Sequence, residues 1–243
     1  MSIANEIERL QTAKTDLKTA IMAKGVEVAD TDTIDTYASK VEAIESGKGI
    51  DLMSYVSSAT MSLDLSEVTE DIVMHLERAS SISNMFSGVP FGCSKLTLYI
   101  SNKCKSFFRA IRLGGDCALK EIEIVGDTSN VNHYGAAFFS QFNLERIIGV
   151  LDFSSATSSG SMNEIVGQCS KLQKITPKAN TIKISISFSY CPNLTDETIQ
   201  AIINGLADLT GATAQTITFH KDVKAKLTDN QITTITNKNW TLA

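Results

Sequence analysis

The chain has 243 residues, of which 43% are hydrophobic and 20% are charged, and its formal net charge is −5. This composition predicts a folded protein with a substantial core, and it argues against a disordered chain or a polycation that binds nucleic acid through phosphate contacts. The first residues alternate apolar with charged side chains, and no apolar run of about 18 residues follows, so neither a signal peptide nor membrane insertion is predicted.

Residues 3–24 carry a narrow apolar seam with alternating spacings of four and three residues, which predicts an α-helix. The seam consists of Ile3, Ile7, Leu10, Leu17 and Ile21, with Lys14 at its one polar position. Such a seam is typical of helices that pack against copies of themselves or against a partner. We therefore predict that these five apolar residues mediate docking or oligomerisation, and a simple intrachain hairpin is an equally supported alternative.

A second amphipathic stretch follows the end of this helix at Gly25, and Asp32 and Thr33 are its candidate N-caps. Its predicted apolar face is Ile34, Tyr37, Ala38, Val41 and Ile44. The two helices make a predicted module of residues 1–46, which is too small to be securely stable alone. Two glycines close together then predict a flexible linker at residues 47–51.

From about residue 52 the apolar pattern changes to a period of two, which predicts short strands with one inward face. The alternating segments are 61–65, 96–100, 122–124, 151–153, 182–188, 217–219 and 240–242. They recur at intervals that suggest a repeat architecture. Helices are predicted after residue 194 and after Thr228, where Thr228 and Gln231 fit a capping box.

A degenerate FxxCxxL motif accompanies these strands and is clearest at residues 188–194 and 166–172. Shortened or tightened copies occur at residues 91–96, 117–122 and 142–147. The five cysteines are Cys93, Cys104, Cys117, Cys169 and Cys191, and their spacing contains no CxxC pair. We predict that they remain thiols and fill small buried positions, with no metal or catalytic role.

The motif copies resemble the BspA-like leucine-rich repeats of bacterial surface proteins and of phage tail or fibre proteins, over about residues 60–243. Residues 3–14, continuing through 24–26 to 37–38, resemble the N-terminal module of phage and prophage structural proteins. Residues 194–211 and 239–243 resemble the end of phage tail-associated repeat proteins. The predicted fold is therefore α+β, with an N-terminal two-helix module followed at residues 52–243 by an irregular leucine-rich-repeat-like β/α solenoid with a C-terminal cap.

The resemblance implies a non-enzymatic bacteriophage virion structural protein of the tail, baseplate or fibre, made in the host cytoplasm. Its implied partners are other virion proteins, further copies of itself, with a trimer favoured, and a glycan or protein on the host cell surface. A head fibre or capsid decoration protein, a BspA-like bacterial adhesin and a polysaccharide depolymerase are the alternatives.

No cofactor, metal or nucleic acid is predicted, because the three histidines are isolated and neither a GxSxG sequence nor a phosphate-binding loop is present. Glu121 and Glu123 are the one carboxylate pair that a depolymerase could use. The solvated side of a half-buried strand is the favoured explanation for this pair. The candidate host contacts are Tyr99, Phe107, Phe108 and Tyr134, for which core packing is an equal alternative.

Overall fold

The structure, a computed structural model, describes residues 3–22, 27–37, 40–41, 67–86, 92–112, 117–157, 162 and 164–243. The chain divides into two compact units, residues 1–48 and residues 49–243. The boundary between the units lies within the stretch 47–51 that the sequence indicates as a linker.

The first unit begins with helix α1, Ile3–Met22. A tight turn follows, in which the Ala29 amide donates to the Asp32 carboxylate at 2.8 Å. The chain then enters a single 3-10 turn, η1, Ile34–Thr36. The described core of this unit consists of Ile21, Val28 and Tyr37.

The second amphipathic stretch differs from its prediction in its N-cap and in its apolar face. Thr33 makes no side-chain cap hydrogen bond, and the 3-10 turn η1 follows it directly; Tyr37, Lys40 and Val41 beyond the turn have helical backbone. Ile34 and Val41 are 55% and 47% exposed, so the predicted apolar face does not turn inward. Tyr37 alone of that face is shown to be buried, whereas Ala38 and Ile44 lie outside the described residues.

The second unit contains a five-stranded parallel sheet whose strand order follows the chain. Its strands are β1, Ile72–His75; β2, Lys95–Ile100; β3, Glu121–Gly126; β4, Arg146–Leu151; and β5, Lys174–Pro177. Parallel neighbours cannot be joined by a tight hairpin, so a long connection returns the chain to the start of each next strand.

A smaller three-stranded parallel sheet follows, with helices between its strands. Its elements in chain order are β6, Ile186–Phe188; α2, Asp196–Gly205; β7, Gln215–Phe219; α3, Lys221–Lys224; α4, Asp229–Asn237; and β8, Trp240–Leu242. The capping box predicted at Thr228 and Gln231 is confirmed, since each residue bonds the other's backbone amide. Helix α2 has an N-cap at Thr195, whose hydroxyl accepts from the Thr198 amide at 3.2 Å.

The predicted fold class is also wrong. The protein is a mixed α/β structure with two parallel sheets, instead of an α+β fold with a two-helix module and an irregular leucine-rich-repeat-like solenoid. The motif spacing indicates which residues are buried, but it does not determine how strands pair. The register between β4 and β5 shifts between Arg146 and Val150, and β5 and β6 belong to different sheets.

The core of the second unit lies behind the larger sheet. Leu96, Ile122 and Ile147 are register neighbours on three adjacent strands, and all three are fully buried. Burial of such aliphatic side chains contributes roughly 1.5–3 kcal/mol each. Beyond the strands, the Tyr134 ring packs edge-on against Phe107 and Phe153, with ring centroids 5.6 and 4.7 Å away.

Two glycines allow adjacent strands to approach closely. Gly126 and Gly149 have positive φ values of 125° and 104°. A Cβ atom at Gly126 would lie 2.0 Å from the Ile100 carbonyl oxygen, and one at Gly149 would lie 2.2 Å from the Ile124 carbonyl oxygen. Both positions therefore require glycine, and at both the close contact is made by an isoleucine carbonyl of the preceding strand.

Candidate functional site

The outer face of the larger sheet, defined as the side that carries Lys95 and Tyr99, displays charged side chains in a row. The register places Lys95 beside Glu121, Glu121 beside Arg146, and Arg146 beside Lys174. Because side chains alternate across a strand, these residues share one face while Leu96 and its neighbours fill the core. The row runs across four strands at their amino-terminal ends.

Ion pairs connect this row. The Lys95 ammonium lies 3.2 Å from a Glu121 oxygen and 2.6 Å from a Glu123 oxygen. The Arg146 guanidinium lies 2.8 Å from the other Glu121 oxygen. Burial raises the pKa of Glu121, but hydrogen bonds from Lys95 and Arg146 outweigh it and lower the pKa overall. The hydrogen bond to Glu123 is the main cause that raises the pKa of Lys95.

An aromatic pair lies further along the same face. The rings of His75 and Tyr99 are stacked, with centroids 4.6 Å apart and an interplanar angle of 11°. His75 Nδ1 lies 3.1 Å from a carboxylate oxygen of Glu77. The outer face thus combines fixed charges, hydrogen-bonding groups and a rigid aromatic edge, which is chemistry suited to holding a polar partner.

The two carboxylates of the pair share one cation. Glu121 and Glu123 both bond the same ammonium, that of Lys95. The lowered pKa of Glu121 keeps it ionised at neutral pH, whereas a general acid needs a raised pKa. The geometry of this pair therefore favours a structural or binding role on the sheet face.

The four predicted host contacts do not form one surface. Tyr99 lies on the outer face and is half-buried. Phe108 is also half-buried, with its ring edge-on to His133 at 4.8 Å and the Arg109 guanidinium 4.9 Å above it. Phe107 and Tyr134 are fully buried, and the Tyr134 hydroxyl donates to the Asp152 carbonyl at 2.9 Å, so these two rings have no surface to offer a partner.

The predicted docking seam is largely exposed on helix α1. Ile7, Leu10 and Leu17 are 51%, 50% and 40% exposed. Ile21 is buried against the described core of the first unit, and the side chain of Ile3 lies outside what the structure describes. Three of the five seam residues thus remain available to a partner.

All five cysteines are buried, and none of them forms a disulfide. Burial raises the pKa of Cys93 and Cys104 to about 11 and that of Cys169 to about 12, and it also raises the pKa of Cys191. A nucleophilic cysteine needs a lowered pKa, so the raised pKa of these four thiols gives them no such activation. Among the described residues, no group of three or more His, Cys, Asp or Glu side chains could hold a metal ion.

No family model, curated protein or solved structure matches the chain. In the parts of the chain that the structure describes, no helix is both long and apolar enough to cross a membrane.

Sequence reasoning missed the residues that organise the outer face, namely Lys95, Arg146 and His75. The alternation of charge from Lys95 through Glu121 to Arg146 can be recognised only when the register of the strands is known. The alternation of Glu121 and Glu123 with isoleucines did indicate their outward direction.

Proposed function

We propose that this chain is a non-enzymatic structural protein of a bacteriophage particle, in the tail, baseplate or fibre. In this proposal the first unit assembles the protein through helix α1, and the outer face of the larger sheet contacts the host surface. The observation that carries the proposal is the exposed seam of Ile7, Leu10 and Leu17 in a unit separate from the sheets.

The spacing of this seam supports further copies of the chain as its occupant. Ile7, Lys14 and Ile21 recur every seven residues, and Leu10 and Leu17 fall between them. This is the a and d pattern of a coiled coil, in which each apolar side chain inserts between side chains of a facing helix. The exposed apolar side chains of Ile7, Leu10 and Leu17 would otherwise remain in water.

Sedimentation equilibrium of the purified full chain at micromolar concentration tests the assembly. We expect a trimer for the wild type and a monomer for the Leu10→Gln, Leu17→Gln double variant. Glutamine favours helix almost as well as leucine, so α1 should remain folded, which circular dichroism can verify.

The matched control is the Ile34→Gln, Val41→Gln double variant. These two side chains are as exposed as the seam residues but lie outside α1, so the loss of apolar surface is similar. We expect this variant to remain trimeric. A monomeric wild type, or an equal effect of the two double variants, would contradict assembly through α1.

The virion role is tested in purified particles of the phage that encodes the chain. We expect mass spectrometry to detect the wild-type chain in density-banded particles, and deletion of residues 1–46 to abolish its incorporation. Absence of the wild-type chain from the particles would rule out the virion role, and normal incorporation after the deletion would rule out docking through the first unit.

The host-contact role is tested by binding of the purified chain to host cells. Tyr99→Ala removes one ring of the His75–Tyr99 stack, and we expect it to weaken binding. Tyr190→Ala is the control, because Tyr190 is 53% exposed and lies in neither the charged row nor the stack. Equal binding of the Tyr99 variant and the wild type would refute contact through the stack.

A further inference from the structure

The connections that follow the first three strands of the larger sheet also lie side by side, and we call their outer surface the turn face. Its three segments are 80–86, 105–112 and 132–141. The Asn84 amide of the first segment donates to the Phe108 carbonyl of the second at 2.9 Å. The Arg109 amide of the second donates to the Gly135 carbonyl of the third at 3.0 Å. The three segments therefore present one continuous surface.

The turn face carries cations and no carboxylate. No acidic residue occurs in any of its three segments, or anywhere between Glu77 and Asp116. The lysine and arginines of the turn face all belong to its middle segment and are Lys105, Arg109 and Arg112. They are exposed, whereas Phe107 and Ile111 of the same segment are fully buried, so the cations point away from the core. In a chain with a net charge of −5, this surface is a local cationic patch.

These three cations are not neutralised by the part of the chain that the structure describes. Lys105, Arg109 and Arg112 make no ion pair and no side-chain hydrogen bond there. The Arg109 guanidinium lies 4.9 Å from the centroid of the Phe108 ring. The Arg112 guanidinium lies 5.5 Å from that of the Phe139 ring. A ring attracts and restricts a guanidinium over its face while the N–H groups stay available, so both arginines are already positioned to bind an anion.

The spacing of the cations favours a chain of anionic groups over a single anion. The cations stand four and three residues apart on one segment, which spans at most about 25 Å when fully extended. A small anion could bond one or two of them and would leave the remaining charge unpaired. A polymer with repeated negative charges can bind all three, because each contact raises the effective concentration of the next charge.

Uncharged hydrogen-bonding groups lie beside the cations and indicate the rest of the ligand. The Ser81 hydroxyl donates to the Ser83 hydroxyl at 2.8 Å, and the hydroxyls of Ser83 and Ser106 lie 2.8 Å apart. Three hydroxyl protons serve these two hydrogen bonds, so one proton remains as a donor. The exposed Asn132 amide also makes no side-chain hydrogen bond within the described residues. Such free hydroxyl and amide groups match the hydroxyls of a sugar.

The aromatic rings of the turn face are not arranged to bind nucleic acid. Single-stranded nucleic acids stack their bases on open aromatic faces. Phe108 and Phe139 are instead half-buried, and an arginine lies over each ring. The Phe108 ring also lies edge-on to His133, with centroids 4.8 Å apart. An acidic polypeptide would match the cations, but it would not use the free hydroxyl and amide groups as well as a sugar does.

We propose that the turn face binds an acidic polysaccharide, whose anionic groups bond the three cations and whose hydroxyls bond the serine and asparagine side chains. The anionic group is a carboxylate or a phosphodiester, since both accept hydrogen bonds from guanidinium groups. This site is independent of the proposed virion role, because it lies on a different surface from the outer face and needs only the purified chain.

The test is binding of the purified full chain to immobilised polysaccharides, measured by biolayer interferometry at about 50 mM salt, where charges are weakly screened. The two probes are polygalacturonate, which carries carboxylates, and a mannan that carries phosphodiesters. We expect saturable binding to at least one of them, and the probe that binds identifies the anionic group. Most of this binding should be lost at about 0.5 M salt.

Two polymers separate the contribution of charge from that of the hydroxyls. Dextran has sugar hydroxyls without charge, and polyglutamate has carboxylates without sugar hydroxyls. Each lacks one of the two kinds of contact, so we expect each to bind about tenfold more weakly than the acidic polysaccharide.

A triple variant locates the site on the turn face. The substitutions Lys105→Gln, Arg109→Gln and Arg112→Gln remove all three cations, and they should weaken polysaccharide binding by about tenfold or more. Because the three side chains are exposed, the variant should remain folded, which circular dichroism can verify.

The matched control removes the same charge from another surface. The substitutions Lys221→Gln, Lys224→Gln and Lys226→Gln also alter three exposed cations, but Asp222 lies among these lysines in the sequence. We expect polysaccharide binding by this variant to stay within about twofold of the wild type, since net charge alone contributes little across a screened solution.

Four outcomes would overturn the proposal. They are no saturable binding of either acidic polysaccharide, equal binding of dextran, equal losses in the two triple variants, and binding of polyglutamate or single-stranded DNA as tight as that of the polysaccharide. The last outcome would identify an acidic protein or a nucleic acid as the ligand of the turn face.

Discussion

The ammonium of Lys178 lies 2.7 Å from a carboxylate oxygen of Asp152, and the pair joins an exposed cation to a buried anion. The other Asp152 oxygen accepts from the Ser154 amide at 2.9 Å. Burial raises the pKa of Asp152, but the hydrogen bonds from Lys178 and Ser154 outweigh it and lower the pKa overall. Asp152 therefore stabilises the folded chain as an anion.

This relationship predicts a pH-dependent loss of stability for Asp152→Asn. Because the folded pKa lies below the unfolded value of about 3.9, the stabilisation is present above that value and is lost as the pH falls through the folded pKa. We expect the variant to lower the free energy of unfolding by about 1–2 kcal/mol at neutral pH. The loss should nearly vanish at low pH, as measured by urea unfolding at both pH values.

Asp127→Asn is the matched control, since the exposed Asp127 carboxylate accepts from the Ser129 amide at 2.8 Å, two residues on, just as Asp152 accepts from Ser154. We expect a change within about 0.5 kcal/mol for this variant. A loss for Asp152→Asn that is as large at low pH as at neutral pH would show that the charge is not its cause.

Gly149→Ala should destabilise the protein strongly, because the new methyl group would meet the Ile124 carbonyl oxygen at 2.2 Å and the backbone φ is positive. We expect a loss of at least about 2 kcal/mol in thermal or urea unfolding. Gly211→Ala shares the positive φ but would meet nothing within 4 Å, so it should cost only about 1 kcal/mol. Equal costs would mean that conformation alone, and not the close approach of the strands, requires glycine at position 149.

The five thiols should react far more slowly in the folded protein than in the unfolded one. With a pKa of about 12, Cys169 would be deprotonated at mildly alkaline pH on the order of 10³ times less often than an ordinary thiol. Labelling with a thiol reagent, followed by mass spectrometry, measures this in buffer and in guanidinium chloride. Rapid modification of any one cysteine in the folded chain would contradict the assignment of the cysteines to the core.

Asn143→Ala should remove two hydrogen bonds that join neighbouring connections between strands. The Asn143 amide donates to the Cys117 carbonyl at 2.7 Å, and its oxygen accepts from the Lys171 ammonium at 2.8 Å. We expect a loss of about 1–2 kcal/mol in urea unfolding. Asn193→Ala, whose side chain has one such bond, to the Ser170 carbonyl at 2.8 Å, should cost less. A larger loss of unfolding free energy for Asn193→Ala than for Asn143→Ala would refute this account of the asparagines.

Some of the fold could be predicted from local patterns. The segments 96–100 and 122–124 fall within β2 and β3, because a period of two with one apolar face is a local property of a strand. The capping box at Thr228 and Gln231 is equally local. By contrast, the alternation at 151–153 misplaced the fourth strand, which ends at Leu151, since apolar residues beyond the strand are also buried.

The site was harder to predict than the strands. The contact between Lys95 and Glu121 depends on a register that the intervening long connection determines, and no local pattern encodes that register. The seam of Ile7, Leu10 and Leu17 could be recognised as one helix face, but its spacing fits cover by the same chain and by a partner equally well.

The order of the larger sheet has a mechanical consequence. Strands β2, β3 and β4 each pair with the strands that precede and follow them in the chain, and β1 and β5 form the two edges. A force that pulls β1 away from β5, across the sheet, would load the backbone hydrogen bonds between one pair of strands at a time. Each released strand would add the length of its connection. The sheet should therefore lengthen under tension in a series of small steps, one for each strand and its connection.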